Sequence, residues 1–218
     1  MRTSAVLIAA ALLLPAPHVL AQDAMTLNNC RIREGTLCAD MNLNSVDLRG
    51  ADLANSQFSG SNMEGANLAK VNFRAANLTR TDLRRANLRE ATLTEADLRA
   101  ANLTAANLAS ATLTNANMQN VIGQRASFEK ATLSGADFAG AELPSAGFVD
   151  AQAKRANFRS ANLSGAVLRG ANLEGANFTN ANLRDADLRD TKLHQAIFTG
   201  ADMAGCTGCP PEPGKSPR

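Results

Sequence analysis

The chain has 218 residues, with 22 Lys+Arg against 20 Asp+Glu, a formal net charge of +2, 8 Phe and neither Trp nor Tyr. A balance this even excludes a surface of dense charge of either sign. Two histidines and four cysteines leave few side chains for acid–base or metal chemistry.

Residues 1–21 read as a secretory signal peptide. Arg2 supplies the positive start, Ala5 to Leu14 the apolar run, Pro15 and Pro17 break it, and Val19-Leu20-Ala21 offers small residues for cleavage before Gln22. The apolar run is shorter than the ~20 residues a membrane helix needs, so no span is expected after cleavage. No cysteine follows directly to carry a lipid. The expected location is the periplasm or the exterior, and loss of Arg2 leaves 21 basic residues against 20 acidic ones. Residues 22–40 are expected to form an N-terminal cap.

From 41 to 205 every fifth residue is apolar or small. The centres, positions 43 to 203 in steps of five, number 33: 20 Leu, 8 Phe, 3 Met, and the exceptions Gly123 and Ala153. Two residues earlier, 25 of the 33 positions are Ala, and the residue between is Asn or Asp in 21. The unit is Ala-(Asn/Asp)-Leu-x-x. A period of five matches neither the 3.6 of a helix nor the 2.0 of a strand, so one regular element cannot bury these side chains. Four units forming the sides of a square coil can, with coils stacked like strands at ~4.8 Å per layer. Residues 41–205 then make about eight coils, roughly 40 Å of rod. The central side chain fills the axis, and Ala is small because backbone crowds there. Asn and Asp are expected at the corners, where short polar side chains bond nearby backbone.

These tandem Ala-(Asn/Asp)-Leu-x-x units resemble the pentapeptide-repeat proteins. The resemblance covers about three quarters of the chain and implies an all-β, right-handed quadrilateral β-helix with a filled core and no cofactor. Members of that family serve as binding or scaffold proteins, and a few are acidic mimics of DNA that engage type II topoisomerases.

Stacking pairs residue n with n+20. Phe138, Phe158, Phe178 and Phe198 therefore share one column, continued downward by Met118, Leu98, Leu78 and Phe58. Leu103 belongs to another core column. Gly123 and Ala153 leave gaps that neighbouring rings are expected to fill, because packed interiors rarely keep voids; a ligand cavity is the alternative.

In an oxidising compartment four cysteines favour disulfides. A rod of roughly 40 Å separates Cys30 and Cys38 from Cys206 and Cys209, and disulfide Cα atoms lie within ~7 Å. The expected bridges are Cys30 with Cys38 and Cys206 with Cys209, unless two molecules pair end to end. The same distance opposes a shared metal site. A redox role for Cys206-Thr-Gly-Cys209 lacks a surrounding βαβ pattern. Residues 206–218 hold four Pro, which predicts a disordered tail beyond the clip. Phe198 and Met203 are then poorly covered, and a homodimer through this last coil is expected.

Catalysis finds little support. His194, the one histidine left after cleavage, follows Leu193 and is expected at the surface. A convex rod offers no cleft to position a general base. Asp137, Glu142, Asp187 and Asp190 lie on outward positions and form no acid ladder. The glycines mostly close a unit and do not form a phosphate loop. The outward positions lack the aromatic platforms of single-strand nucleic-acid binders. A DNA mimic needs a negative charge every ~1.7 Å, which the composition denies. One outward feature remains. Lys70, Arg74, Arg80, Arg84, Arg85 and Arg89 face only Asp82 over residues 66–89 and spread around slightly more than one coil. This belt is either plain solvated surface or a dock for an anionic protein, lipid head group or envelope polymer. The sequence thus predicts a non-catalytic exported scaffold without metal or cofactor, with a topoisomerase regulator as the alternative.

Overall fold

The computed structural model describes residues 26, 27 and 29–211. The expected signal peptide, residues 22–25 and 28 of the expected cap and residues 212–218 of the expected tail lie outside the described residues.

The chain winds as a right-handed, four-sided β-helix. Parallel bridges join each residue before a centre to its counterpart twenty residues on, from Leu37 with Gln57 to Asp187 with Thr207. Coil pairing thus starts inside the segment expected as a cap and reaches just past 205. We number the faces I to IV by the core columns that begin at Leu43, Leu48, Leu53 and Phe58.

One unit explains the geometry, because each of its five N–H groups has a partner. Asn62 N–H donates to the Met41 carbonyl in the coil below (2.8 Å), and Met63 N–H to the Asp82 carbonyl above (2.7 Å). Glu64 N–H donates to the side-chain Oδ1 of Asn62 (3.0 Å). Gly65 N–H reaches the Arg84 carbonyl above (2.8 Å), and Ala66 N–H closes the turn on Met63 (3.1 Å). The last residue of each unit has positive φ, as at Arg85 (57°) and Gly170 (71°), which a type II turn requires at its third position. Asn and Asp therefore do not occupy the corners, as the sequence suggested. They sit in the middle of each face, and the carboxamide or carboxylate oxygen caps the first corner N–H two residues on.

The axis is dry and filled. The central residues from Leu43 to Leu188 are buried, as are the Ala positions from Ala66 to Ala186. Where Ala is replaced by Ser61 or Thr81, the buried hydroxyl bonds a carbonyl of the coil below, Cys38 at 2.8 Å and Phe58 at 3.0 Å. Phe138, Phe158, Phe178 and Phe198 stack at 5.0 Å between successive ring centroids. Phe128 and Phe148 stack on face II at 4.8 Å and meet the face IV rings edge-on across the axis, Phe148 to Phe158 at 5.8 Å. The gap at Gly123 is closed differently from expectation. No ring fills it; the Leu143 side chain does, its Cδ2 only 2.7 Å from where a Cβ on Gly123 would stand. Ala153 is fully buried within the same continuous core.

Each end has its own finish. β1 (Thr26–Leu27) and β2 (Cys30–Arg31) form a short antiparallel hairpin. The Cys30–Cys38 disulfide ties it to the first coil, and Cys206–Cys209 closes the last. In that last coil Leu193, Phe198 and Met203 are only half-buried, and Ile197 is exposed.

Candidate binding surfaces

The belt residues occupy all four corners of the rod, but they are not equally free. Arg84 forks onto Asp82 through Nε (2.8 Å) and Nη2 (2.6 Å) and also reaches Glu64 (2.8 Å). Arg85 pairs with the other Glu64 oxygen, and Lys70 lies 3.6 Å from Glu90. Glu64 and Glu90 fall just outside the 66–89 window, one coil below Arg84 and one above Lys70, so the linear count of acids understated their presence. Arg74, Arg80 and Arg89 have no ion pair among the described residues.

For Arg74, Arg84 and Arg89, which directly follow a centre, the residue two before the arginine accounts for part of this partition. Where Asp precedes the centre and Arg follows it, as in Asp47-Leu48-Arg49, Asp82-Leu83-Arg84, Asp97-Leu98-Arg99 and Asp187-Leu188-Arg189, the guanidinium folds back on the carboxylate. The same carboxylate accepts from the arginine's own backbone N–H, at 3.1 Å for Asp187. The Arg189 side chain and N–H together hold the Asp187 carboxyl well below its ordinary value, at about 2. Where Asn precedes the centre, as before Arg74 and Arg89, the N–H is capped but the guanidinium is left to solvent.

Asp137 and Glu142 are engaged in the wall of the rod. Asp137 accepts from Ala139 N–H (3.0 Å), Asn157 Nδ2 (2.8 Å) and Gln119 Nε2 (2.6 Å). Glu142 accepts from Asn162 Nδ2 (2.8 Å). Asp190 lies on an exposed corner, and His194 is exposed as the sequence indicated. Among the described residues no group of His, Cys, Asp and Glu can hold a metal ion, and no helix is long and apolar enough to cross a membrane.

Among the described residues, recesses lie along the edges. One is a notch of about 440 Å³ between faces III and IV, running from Thr114 to Gln195 past Lys154, Arg155 and Glu174. Lys154 and Glu174 form an ion pair there at 2.8 Å, which keeps the Glu174 carboxyl below its usual value. A second recess lies on the same edge near the N-terminal end, beside Glu34, Asp52, Arg74 and Glu95. Further recesses line the IV–I edge beside Arg80 and Arg159, and the sequence indicated none of them. Their signal was the side-chain type at the corner columns, legible only once n and n+20 are aligned.

The family model for Pentapeptide repeats (8 copies) matches residues 42–80, 66–104, 81–120, 124–159 and 156–200. Among solved structures, the chain is similar to HetL, a pentapeptide repeat protein involved in heterocyst differentiation regulation from the cyanobacterium Nostoc sp. strain PCC 7120. The two share 32% identity over 79% of this chain and 87% of that one, with a TM-score of 0.57. QnrB1, a plasmid-mediated fluoroquinolone resistance protein, matches at 18% identity over 78% of this chain and 88% of that one, TM-score 0.46. Rfr23 from the cyanobacterium Cyanothece 51142, a pentapeptide repeat protein, matches at 33% over 51% of this chain and 63% of that one, TM-score 0.33. No curated protein matches the chain.

Proposed function

The chain belongs to the pentapeptide-repeat family, and from that premise we propose that it is a non-catalytic, exported binding and scaffold protein of the cell envelope, working through the outer faces of its rod. The observation that carries this reading is the division of labour in the unit. Every central side chain from Leu43 to Leu188 is spent on the core, leaving the outward positions to present polar and charged groups. Carboxylates that a hydrolase or transferase would need as acid or base are held by neighbours, as at Asp137 and Asp187.

The partner is an anionic envelope component or an acidic protein face, met by Arg74, Arg80 and Arg89, the belt cations without internal counter-ions. The test uses envelope fractions from the source cells. Retention of the labelled rod should fall as salt rises from 50 to 300 mM, and should drop at least tenfold in the triple variant R74E/R80E/R89E. Reversal of Arg84 and Arg85, already neutralised by Asp82 and Glu64, should matter much less. Salt-independent retention, or retention unchanged in the triple variant, would refute the docking role.

Export rests on the first 21 residues and on the two disulfides, which suit an oxidising compartment. A homodimer through the half-buried Leu193, Phe198 and Met203 of the last coil completes the proposal, since an open coil exposes both apolar side chains and unpaired backbone. Sedimentation showing only monomer at high concentration would count against the dimer. The DNA-mimic alternative needs carboxylates free to act as phosphates, and among the described residues five aspartates are already paired with arginine.

A further inference from the structure

The edge between faces III and IV breaks a rule that most corners obey. At most corners Asn or Asp caps the first corner N–H, but here the capping positions hold Thr112, Thr132 and Gln152. Among the described residues nothing accepts from the N–H groups of Thr114, Ser134 or Lys154, and the Thr114 and Ser134 hydroxyls make no hydrogen bond. By contrast, Thr179 at the IV–I edge donates both its N–H (2.9 Å) and its hydroxyl (2.6 Å) to Asn177. Gln152 cannot substitute as a cap, because its Nε2 donates to the Asp150 carbonyl (3.2 Å) and its oxygen accepts from Asn172.

These unsatisfied donors belong to the residues lining the 440 Å³ notch. Gly135 and Gly175 stand in the coils directly below and above Arg155, and their missing side chains open it. The Arg155 stem runs up against Gly175, where a Cβ would meet its Cγ at 3.4 Å, and its guanidinium has no ion pair among the described residues.

We propose that this notch binds a phosphate-class oxyanion, free or carried as a monoester, held by the N–H and hydroxyl groups of Thr114 and Ser134 and by Lys154 and Arg155. The rod itself shows the chemistry. At Asp187 a carboxylate takes the corner N–H of Arg189 at 3.1 Å and its guanidinium at 2.6–2.8 Å. The notch offers the same pairing of corner N–H and cation with the internal oxyanion deleted. Backbone N–H and cation together make charge-assisted bonds of the kind that select oxyanions. Glu174 is the one carboxylate in the lining, and Lys154 and Arg155 leave the notch with a net charge of +1. The second recess on this edge carries Glu34, Asp52 and Glu95 against Arg74, a net of −2, and supplies an internal contrast. The proposal does not depend on the belt.

The test is a titration of the ¹⁵N-labelled, disulfide-intact chain with inorganic phosphate and with glucose 1-phosphate at fixed ionic strength. Saturable shifts are expected at the amides of Thr114, Ser134 and Lys154, with a Kd of order 1–10 mM for a bare ion. The capped amides of Thr79 and Thr104 should stay still. Arg155→Gln should weaken binding at least fivefold. Gln152→Asp should abolish it by seating the rod's own carboxylate on the Lys154 N–H, and if either variant fails to fold the other decides. Tighter binding of the monoester would assign the group to a larger ligand, and equal binding to free phosphate. Shifts that never saturate, that appear equally at Thr79 and Thr104, or that survive both variants would overturn the proposal. The belt variant R74E/R80E/R89E should bind phosphate normally, so failure of the belt and failure of the notch are separate results.

Discussion

Replacing Gly170 by Ala should destabilise the rod mainly through Asp150, one coil below. Gly170 has φ of +71°, and a Cβ there would lie 2.3 Å from Asp150 Oδ1 and 3.5 Å from its Cγ. The same arrangement recurs at Gly135 over Asn115, Gly200 over Asn180 and Gly205 over Asp185. The left-handed backbone costs a non-glycine residue about 1–2 kcal/mol. That part is familiar to this fold, since Ala75, Ala100 and Ala105 occupy equivalent corners at φ 52–57°. The second part is steric. Asp150 must leave its rotamer to admit the methyl, at about 0.5–1.5 kcal/mol. Gly170→Ala should therefore lose ~2–3 kcal/mol, while the same change in an Asp150→Ala background should lose only ~1–2 kcal/mol. The assay is equilibrium unfolding in guanidinium of the wild type, both single variants and the double variant, giving a coupling of about 1 kcal/mol. Equal losses in the two backgrounds would refute the idea that glycine is placed to admit the side chain below.

Other outcomes follow from the same contacts. Phe158→Ala removes the ring between Phe138 and Phe178 and should cost ~3–5 kcal/mol, read as a shifted denaturation midpoint; a loss below 1 kcal/mol would mean the core collapses around the gap. Leu103→Ala should cost ~2–5 kcal/mol by the same mechanism, without changing any binding. Asp187 titrates near 2 in the folded rod against 3.8 ordinarily, so its stabilising effect is complete above pH 3.8 and disappears as pH falls towards 2. Arg189→Gln should flatten the acid side of a stability profile in that window, and an unchanged profile would count against the pair. Reduction of the Cys30–Cys38 bridge, which closes a short loop, should lower stability by ~2–3 kcal/mol and loosen the first coil to hydrogen exchange before the rest.

Much of the fold was legible because the five-residue period admits few solutions. Alignment of n with n+20 placed Phe138, Phe158, Phe178 and Phe198 in one stack, and the length of the rod separated the cysteines into the two bridges observed. What failed was local. Asn and Asp have well-known turn preferences, yet their place is mid-face, because the oxygen that caps the corner must hang from a residue two positions earlier. Leu143, and not a ring, fills the space over Gly123, since a flexible Leu in the same column is nearer than Phe128 on the next face. The surface was harder still. Arg84 and Arg74 look alike in a linear window, and their difference lies in Asp82 against Asn72 two residues before them, and in Glu64 one coil below Arg84. The notch lies along a run of four successive coils whose capping positions, Thr92, Thr112, Thr132 and Gln152, lack Asx residues, a pattern spread over sixty residues of sequence and opened further by Gly135 and Gly175.

The most direct measurement is the intact mass of the protein taken from its own cells without reductant. The expected result is a chain that begins at Gln22 and lacks the hydrogens of all four thiols. A full-length chain carrying four free thiols would contradict it, removing the export and the end clips on which the envelope role depends.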